Sequence, residues 1–322
     1  MLLQGFLLSY KYFETTTKQC LDSLLPQAAA CGVPILVGDN ASPDHSPLLL
    51  SEYADQLSRH HFEQAKYLSV RYFDQNFGYA GGMNRLANYL DADWLLLIGS
   101  DTVFAPGSLQ RLQNILQSAP DSVGIIGPVT NSAGTAQCLS FLSNSAKEII
   151  QEWETLHSAT MNWLPSLPRA DFFCVAIRRS LWQSLNGLDE AYGRGYYEDV
   201  DFCVRAKQHG FSCCIAEDCF VFHQGSATFG KEKDTDELIR KNKSLLLSKY
   251  PNEDLLHVRE DTYNLIKKGL SELGAGSSYG SRLNRIKNRM RVLDMQKPKS
   301  FHKKMIWSFR RDFLSQEIDS LY

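Results

Sequence analysis

The sequence predicts an α/β fold: a mostly parallel sheet flanked by helices, with a C-terminal helical extension. Three observations carry this reading. Apolar runs of strand length alternate with segments of helical period through the first half of the chain. The run Trp94-Leu95-Leu96-Leu97-Ile98 is apolar throughout, as a central strand covered on both faces requires. Gly, Asn, Asp and other polar residues collect just after the first four such runs, at the edge where open α/β sheets bind ligands.

Leu2 to Ser9 reads as the first strand; it is too short to span a bilayer and lacks the basic lead and cleavage site of a secretory signal. A helix over about Thr16 to Leu25 follows, with Cys20, Leu21, Leu24 and Leu25 on one face. Ile35-Leu36-Val37 is the second strand, ending at Asp39. Leu68 to Phe73 is the third and runs into Asp74-Gln75-Asn76-Phe77-Gly78. Trp94 to Ile98 is the fourth, followed by Gly99-Ser100-Asp101-Thr102 and a helix beginning at Pro106. Val123 to Gly127 is a further strand. The irregular stretch from Gly134 to Pro168 reads as loop and short helix shaping a pocket. Phe172 to Ile177 is again apolar, and a helix starts near Arg179. A helix from Asp199 to about Gln208 stops at Gly210, a favoured C-terminal residue. Two short strands, Ser212 to Ala216 and Phe220 to His223, complete the body, which closes near Tyr250-Pro251. Gly274-Ala275-Gly276-Ser277-Ser278 reads as a hinge. The expected organisation is a domain over 1–250 and a basic, mainly helical extension over 251–322.

With 43% hydrophobic and 22% charged residues the 322-residue chain is not a disordered one. A net charge of -2 argues against nucleic acid as the main partner. The charge is split: residues 251–322 carry 14 Lys+Arg and 9 Asp+Glu (+5), residues 1–250 carry 20 and 27 (-7), an acidic body with a basic tail. The eight cysteines form no CxxC pair and read as reduced, buried residues of a cytoplasmic protein.

The richest segment is Tyr196-Tyr197-Glu198-Asp199-Val200-Asp201, with His223 22 residues beyond Asp201. With Glu198 capping a helix, the dipole favours the acidic first turn, so capping explains part of the cluster. The aromatic and glycine-rich lead-in from Tyr192 reads as a loop delivering a base to a pocket. Asp39 and Asn40 either shape a turn through their own backbone or bind a nucleotide, and both readings stand. Asn76 to Arg85 is glycine-rich and opens a helix whose amides and dipole suit an anion, though it is neither a P-loop nor GxGxxG. Asp101 precedes the next helix by several residues, so capping explains it less well than a metal or diphosphate role. His223 at a strand end is either structural or, with an oxygen ligand, part of a site suited to Mn2+.

Taken in order, Val37-Gly38-Asp39-Asn40-Ala41-Ser42, the Asn76 to Asn84 loop, Leu97 to Thr102, Gly187-Leu188-Asp189-Glu190 leading to Glu198-Asp199-Val200-Asp201, and Val221 to Ser226 resemble the inverting family 2 glycosyltransferases of GT-A fold, particularly rhamnosyltransferase-like members that build bacterial surface polysaccharides. The resemblance covers roughly residues 1–230. It implies that Asp39 and Asn40 bind the nucleoside with Ser9 and Tyr10 beside the base. It further implies that Asn76, Gly78, Gly82, Asn84 and Ser100 serve the donor site. Asp101 and His223 would hold Mg2+ or Mn2+ against the diphosphate, Asp199 would be the base, and Tyr197 and Glu198 would stand on the acceptor side. At Gly99 many relatives have Asp or Asn, so one metal ligand is missing. The implied enzyme is a hexosyl- or deoxyhexosyltransferase moving a sugar from a UDP- or dTDP-sugar to a glycan or lipid-linked acceptor. Such chemistry needs a cation for the leaving diphosphate and a carboxylate for the acceptor proton. Glu198 and Asp201 beside Asp199 are expected to raise its pKa.

Two rivals remain. A sugar nucleotidyltransferase would show a glycine-rich N-terminal loop with a basic residue, where this chain has Tyr10-Lys11-Tyr12-Phe13. A non-catalytic sugar-nucleotide or glycan-binding module is suggested by Gly99, and the retention of Asp101, Asp199 and His223 together argues against it. Ser281 to Arg311 holds 11 basic residues and one acidic residue, with Leu283, Ile286, Met290 and Leu293 at helical spacing. The segment either adsorbs to an anionic membrane, a peripheral placement at its inner face, or packs on the body or a second subunit.

Overall fold

In the computed structural model, which describes residues 1–321 apart from 90, 158–159, 162, 226–233, 254, 257 and 275–277, the sheet carries apolar side chains on both faces. Ser226 and the centre of the expected hinge, Ala275 to Ser277, lie outside the described residues. The strand Trp94–Gly99 shows the principle. Leu95 and Leu97 enter one core, while Trp94, Leu96 and Ile98 enter the other. Successive side chains point to opposite faces, so a strand buried on both sides must be apolar at every position.

The elements run β1 (Leu3–Ser9), α1 (Thr17–Cys31), β2 (Ile35–Asp39), α2 (Ser46–His60), α3 (Phe62–Ala65), β3 (Leu68–Tyr72), α4 (Gly78–Ala87), β4 (Trp94–Gly99), β5 (Thr102–Phe104), α5 (Ser108–Ser118), β6 (Val123–Val129), α6 (Ala146–Leu156), β7 (Ser166–Leu167), β8 (Cys174–Arg178), α7 (Arg179–Ser184), α8 (Glu198–Gln208) and β9 (Ser212–His223). Four helices follow: α9 (Thr235–Lys249), α10 (Val258–Ser271), α11 (Tyr279–Met295) and α12 (Phe301–Asp319). The sheet order is β3-β2-β1-β4-β8-β6-β9-β5, with β7 against β9. β1, β2, β3 and β4 are parallel, and β8 runs antiparallel between β4 and β6.

Register brings the site together. Ser9 pairs with Asp39 and Leu8 with Gly99, so the carboxyl ends of β1, β2 and β4 are level. Because β8 is antiparallel and pairs Cys174 with Ile98, the residues just before it arrive at that same edge. Thr102 of β5 pairs with His223, which sets Asp101 beside the imidazole.

Several boundaries differ from the sequence reading. The helix expected over Thr16 to Leu25 continues through Pro26 to Cys31, with Ala28 extending its buried face. The helix expected at Pro106 begins at Ser108, because Thr102 to Phe104 is claimed by pairing with β9. The two strands expected over 212–223 are one, with a register shift where Ala216 gives way to Phe220. The irregular 134–168 region contains an eleven-residue helix, α6, capped by Ser145 accepting from the Glu148 amide. Tyr197, not Glu198, is the N-cap of α8, and no side chain caps that helix. All eight cysteines are free thiols, with Cys31 and Cys138 only half-buried.

The apolar seam of the C-terminal segment is covered. Leu283, Ile286, Met290 and Leu293 of α11 pack with Ile266 of α10 and Leu314 and Ile318 of α12, so the seam is buried among the helices of the extension itself. α11 is also pinned to the body by ion pairs. Glu217 of β9 is fully buried 2.6 Å from Arg289 and 3.4 Å from Arg285. Burial pulls the Arg285 guanidinium down to about 10 in spite of Glu217. Asn288 adds two hydrogen bonds, accepting from the Ser140 amide at 2.8 Å and donating to its carbonyl at 2.6 Å. Several of the tail's positive charges therefore face inward.

Candidate functional site

A cavity of about 510 Å3 opens at the carboxyl edge of the sheet. Its wall takes Asn40, Asn76 and Gly78 from one side and Ser100, Asp101 and His223 from another, with Tyr197, Glu198 and Asp199 above. Tyr10 lines it as well. These expected residues, scattered over the sequence, meet in one space.

Others of the set serve the frame. Ser9 is buried and hydrogen-bonds Thr17 at 2.8 Å. Asp39 spends both carboxylate oxygens on Ser42, accepting from its amide at 2.9 Å and its hydroxyl at 2.6 Å. Gly82 lies against Leu8, with no room for a β-carbon. Asn84 points away from the cavity, donating to the Leu188 carbonyl and accepting from the Leu188 amide, both at 2.9 Å. The glycine-rich loop does not hold its first amides ready for an anion. Those of Phe77, Gly78 and Tyr79 are taken by the side chains of Asn40 and Asn76 and the Arg194 carbonyl. At Gly78, whose φ is +70°, an added β-carbon would lie 2.0 Å from the Gly193 carbonyl oxygen.

His223 is held on all sides. Its Nδ1 is 2.8 Å from the Ser132 carbonyl oxygen, its Nε2 is 3.4 Å from Asp101 Oδ2, and Phe173 stacks on the ring at 5.2 Å. Donation from Nδ1 to that carbonyl leaves the Nε2 lone pair on the Asp101 side when the ring is neutral. Burial lowers the imidazole pKa, but the Asp101 hydrogen bond and charge outweigh it and the net shift is upward. A carboxylate oxygen and an imidazole nitrogen suit a cation such as Mn2+. Among the described residues no third His, Cys, Asp or Glu joins them. Gly99 contributes none, and space explains why: a β-carbon there would sit 2.9 Å from the Phe173 carbonyl oxygen, which accepts from the Gly99 amide at 2.7 Å.

The loop before α8 is strained and held. Tyr196 and Tyr197 both have positive φ, 71° and 74°, costly for side-chain-bearing residues. Asn242 of α9 over-determines the loop by donating to the carbonyls of Tyr192, Gly195 and Tyr196 at 2.7, 2.7 and 3.2 Å. α9 is anchored in turn through Asp201, which accepts from Arg205 at 2.7 Å, from the Tyr250 hydroxyl at 2.9 Å and from Lys249. Asp201 is thus a buried strut.

That leaves Glu198 and Asp199 as the carboxyls facing the cavity from this helix. Burial and then the charge of Asp171 push the Asp199 carboxyl up to about 6. Burial and then Asp199 push Glu198 up to about 8, and its Oε2 is buried with no hydrogen-bond partner. The neighbour that raises Asp199 is therefore Asp171 rather than the expected Glu198 and Asp201. Sequence reasoning missed Asp171 and its neighbour Arg169, which both line the cavity. Asp171 accepts from the Gly134 amide, and Arg169 donates to the Gly134 carbonyl at 2.9 Å. Burial raises Asp171 against the opposing pull of Arg169, 3.9 Å away. Their only sequence signal was a charged pair around Ala170 ahead of an apolar strand.

A family model described as glycosyl transferase family 2 matches residues 7–183. A search of curated protein sequences found no match. Among solved structures, the mannosyltransferase PcManGT from Pyrobaculum calidifontis, in complex with GDP-Man and Mn2+, is similar over 98% of this chain and 83% of its own, at TM-score 0.51 and 12% identity. GalNAc-T7 with UDP, GalNAc and Mn2+ is similar over 92% and 57%, at 0.54 and 13%. S. aureus TarS 1–349 in complex with UDP-GlcNAc is similar over 99% and 89%, at 0.50 and 13%. At such identities the likeness is one of fold.

Proposed function

The chain belongs to glycosyl transferase family 2 and has the GT-A fold, and on that premise we propose that it is an inverting transferase moving a hexosyl or deoxyhexosyl group from a nucleoside-diphosphate sugar, UDP- or dTDP-linked, to a hydroxyl of a glycan or lipid-linked acceptor. One observation carries the reading. Asp199, its carboxyl pushed up to about 6, shares a cavity with the Asp101–His223 pair. A base with a pKa near neutrality is matched to taking a hydroxyl proton. The structural relatives crystallised with nucleotide sugars or Mn2+ support the same reading.

In this mechanism Asp199 accepts the acceptor proton as the hydroxyl oxygen attacks the anomeric carbon from the face opposite the diphosphate, and a single displacement inverts that centre. Asp101 and His223 are the residues that would hold a divalent cation, which when bound neutralises charge on the departing diphosphate. Glu198, protonated near neutral pH, donates a hydrogen bond to a substrate oxygen. Tyr197 and Arg169 shape the acceptor side, and Asn40 and Asn76 fix the loop against which the donor rests. We assign catalysis to residues 1–250 and treat 251–322 as an extension pinned to that unit.

Release of nucleoside diphosphate from a panel of UDP-, dTDP- and GDP-sugars, with and without Mn2+, tests the proposal. Mn2+-dependent release from at least one donor, lost in Asp199→Asn when acceptor is present, is the expected result. No release and no thermal stabilisation by any donor would overturn it.

A further inference from the structure

α12 has two faces with different partners. Leu314 and Ile318 enter the core shared with α10 and α11. Met305, Phe309 and Phe313, one turn apart, stand outward with Ile306 beside them, and Phe309 is 75% exposed. A second pocket, of about 400 Å3, lies alongside this stripe between α10, α11 and α12, and Ile306 belongs to both. Its wall carries Arg259, Lys303 and Arg310 against one acid, Glu260, which is already paired with Arg310. Two polar atoms of the same wall, Trp307 Nε1 and Gln296 Oε1, are buried without a hydrogen-bond partner. Both atoms are enclosed by the fold, so what the pocket presents to a ligand is the charge of Arg259 and Lys303.

We propose that this unit docks on an anionic phospholipid surface, the Met305–Phe309–Phe313 stripe entering the interface and a phosphate headgroup seated in the pocket. Charge chooses the occupant: the pocket's surplus is positive, and basic residues beside an apolar helical stripe are the pattern of interfacial helices. A second copy of the chain fits less well, since a stable interface recruits roughly 20–30 residues a side and this stripe offers four. No helix among the described residues is long and apolar enough to cross a membrane.

The test is co-sedimentation of the full chain with phosphatidylcholine vesicles with and without phosphatidylglycerol, alongside sedimentation velocity without vesicles. Salt-sensitive binding that requires phosphatidylglycerol is expected. Met305→Ser with Phe309→Ser should abolish it without moving the melting temperature. Arg259→Gln with Lys303→Gln should weaken it about 30-fold, at ~1 kcal/mol for each charge. Because Arg259 also donates to the Gln296 carbonyl at 2.6 Å, Lys303→Gln alone is the control for folding, with about fivefold expected. Equal binding to both vesicle types, or an unaffected serine variant, would overturn the proposal. Unchanged binding by Lys303→Gln would remove the headgroup pocket. A dimer that Phe309→Ser dissociates, with no vesicle binding, would give the face to a second copy.

Discussion

Asp101 Oδ2 stands 3.4 Å from His223 Nε2, and the same imidazole is fixed through Nδ1 on the Ser132 carbonyl. Proton and cation therefore compete for one nitrogen. The upward shift of His223 means that the proton is held at higher pH than in a free histidine. Mn2+-dependent nucleotide binding should accordingly weaken as pH falls through that raised value. Asp101→Ala and His223→Ala should each remove most of the Mn2+ dependence. Titration calorimetry of nucleoside diphosphate at several pH values, with and without Mn2+, checks both; an unchanged Mn2+ effect in the two variants would rule the pair out as ligands.

Asp199 should set the acid limb of the rate profile. Transfer should rise with pH through about 6 and fall at least about 10²-fold in Asp199→Asn, the lower range for general-base catalysis. Asp171 raises that carboxyl and Arg169 lowers it. Asp171→Asn should therefore move the acid limb to lower pH and Arg169→Gln to higher pH. A kcat/KM profile that stays in place in both variants would exclude this control of the base.

Glu198 gives a stability prediction with a definite sign. The folded state keeps its proton up to about 8, against a free value of 4.5. Native protein then binds more protons than unfolded between those values, so this group's contribution is full below 4.5 and is lost as pH rises to about 8. Glu198→Gln should match the wild type at acid pH and exceed it above pH 8 by an amount on the order of a few kcal/mol. Chemical denaturation at the two extremes decides it.

Glu217 neutralises two buried arginines, Arg285 and Arg289. Its replacement by Gln should cost about 3–5 kcal/mol, because the arginines remain without a countercharge. The readout is the denaturant midpoint. A loss below 1 kcal/mol, the size of an exposed pair, would mean that the arginines reach water.

The strands, their order along the chain and the edge where chemistry collects were legible because a doubly buried sheet forces apolar runs such as Trp94 to Ile98, and because strand ends must be followed by turn formers. What escaped was whatever depends on long-range pairing. Thr102-Val103-Phe104 is made of strand formers but is only three residues long, and it becomes a strand only against His223 to Val221. Asp171 and Arg169 reach the cavity because β8 is antiparallel, a direction no local pattern encodes. Asn242 lies on a helix face yet holds a loop almost fifty positions earlier. In the tail, Arg285 and Arg289 look like a solvated basic face until Glu217 is placed opposite them.

Gly78 meets Gly193 with bare backbone on both sides. Nothing compressible separates the first turn of α4 from the loop that carries Tyr196 and Tyr197, and the Tyr79 amide is hydrogen-bonded to the Arg194 carbonyl at 3.3 Å. A side chain at position 78 would therefore push these two segments apart, and both line the cavity.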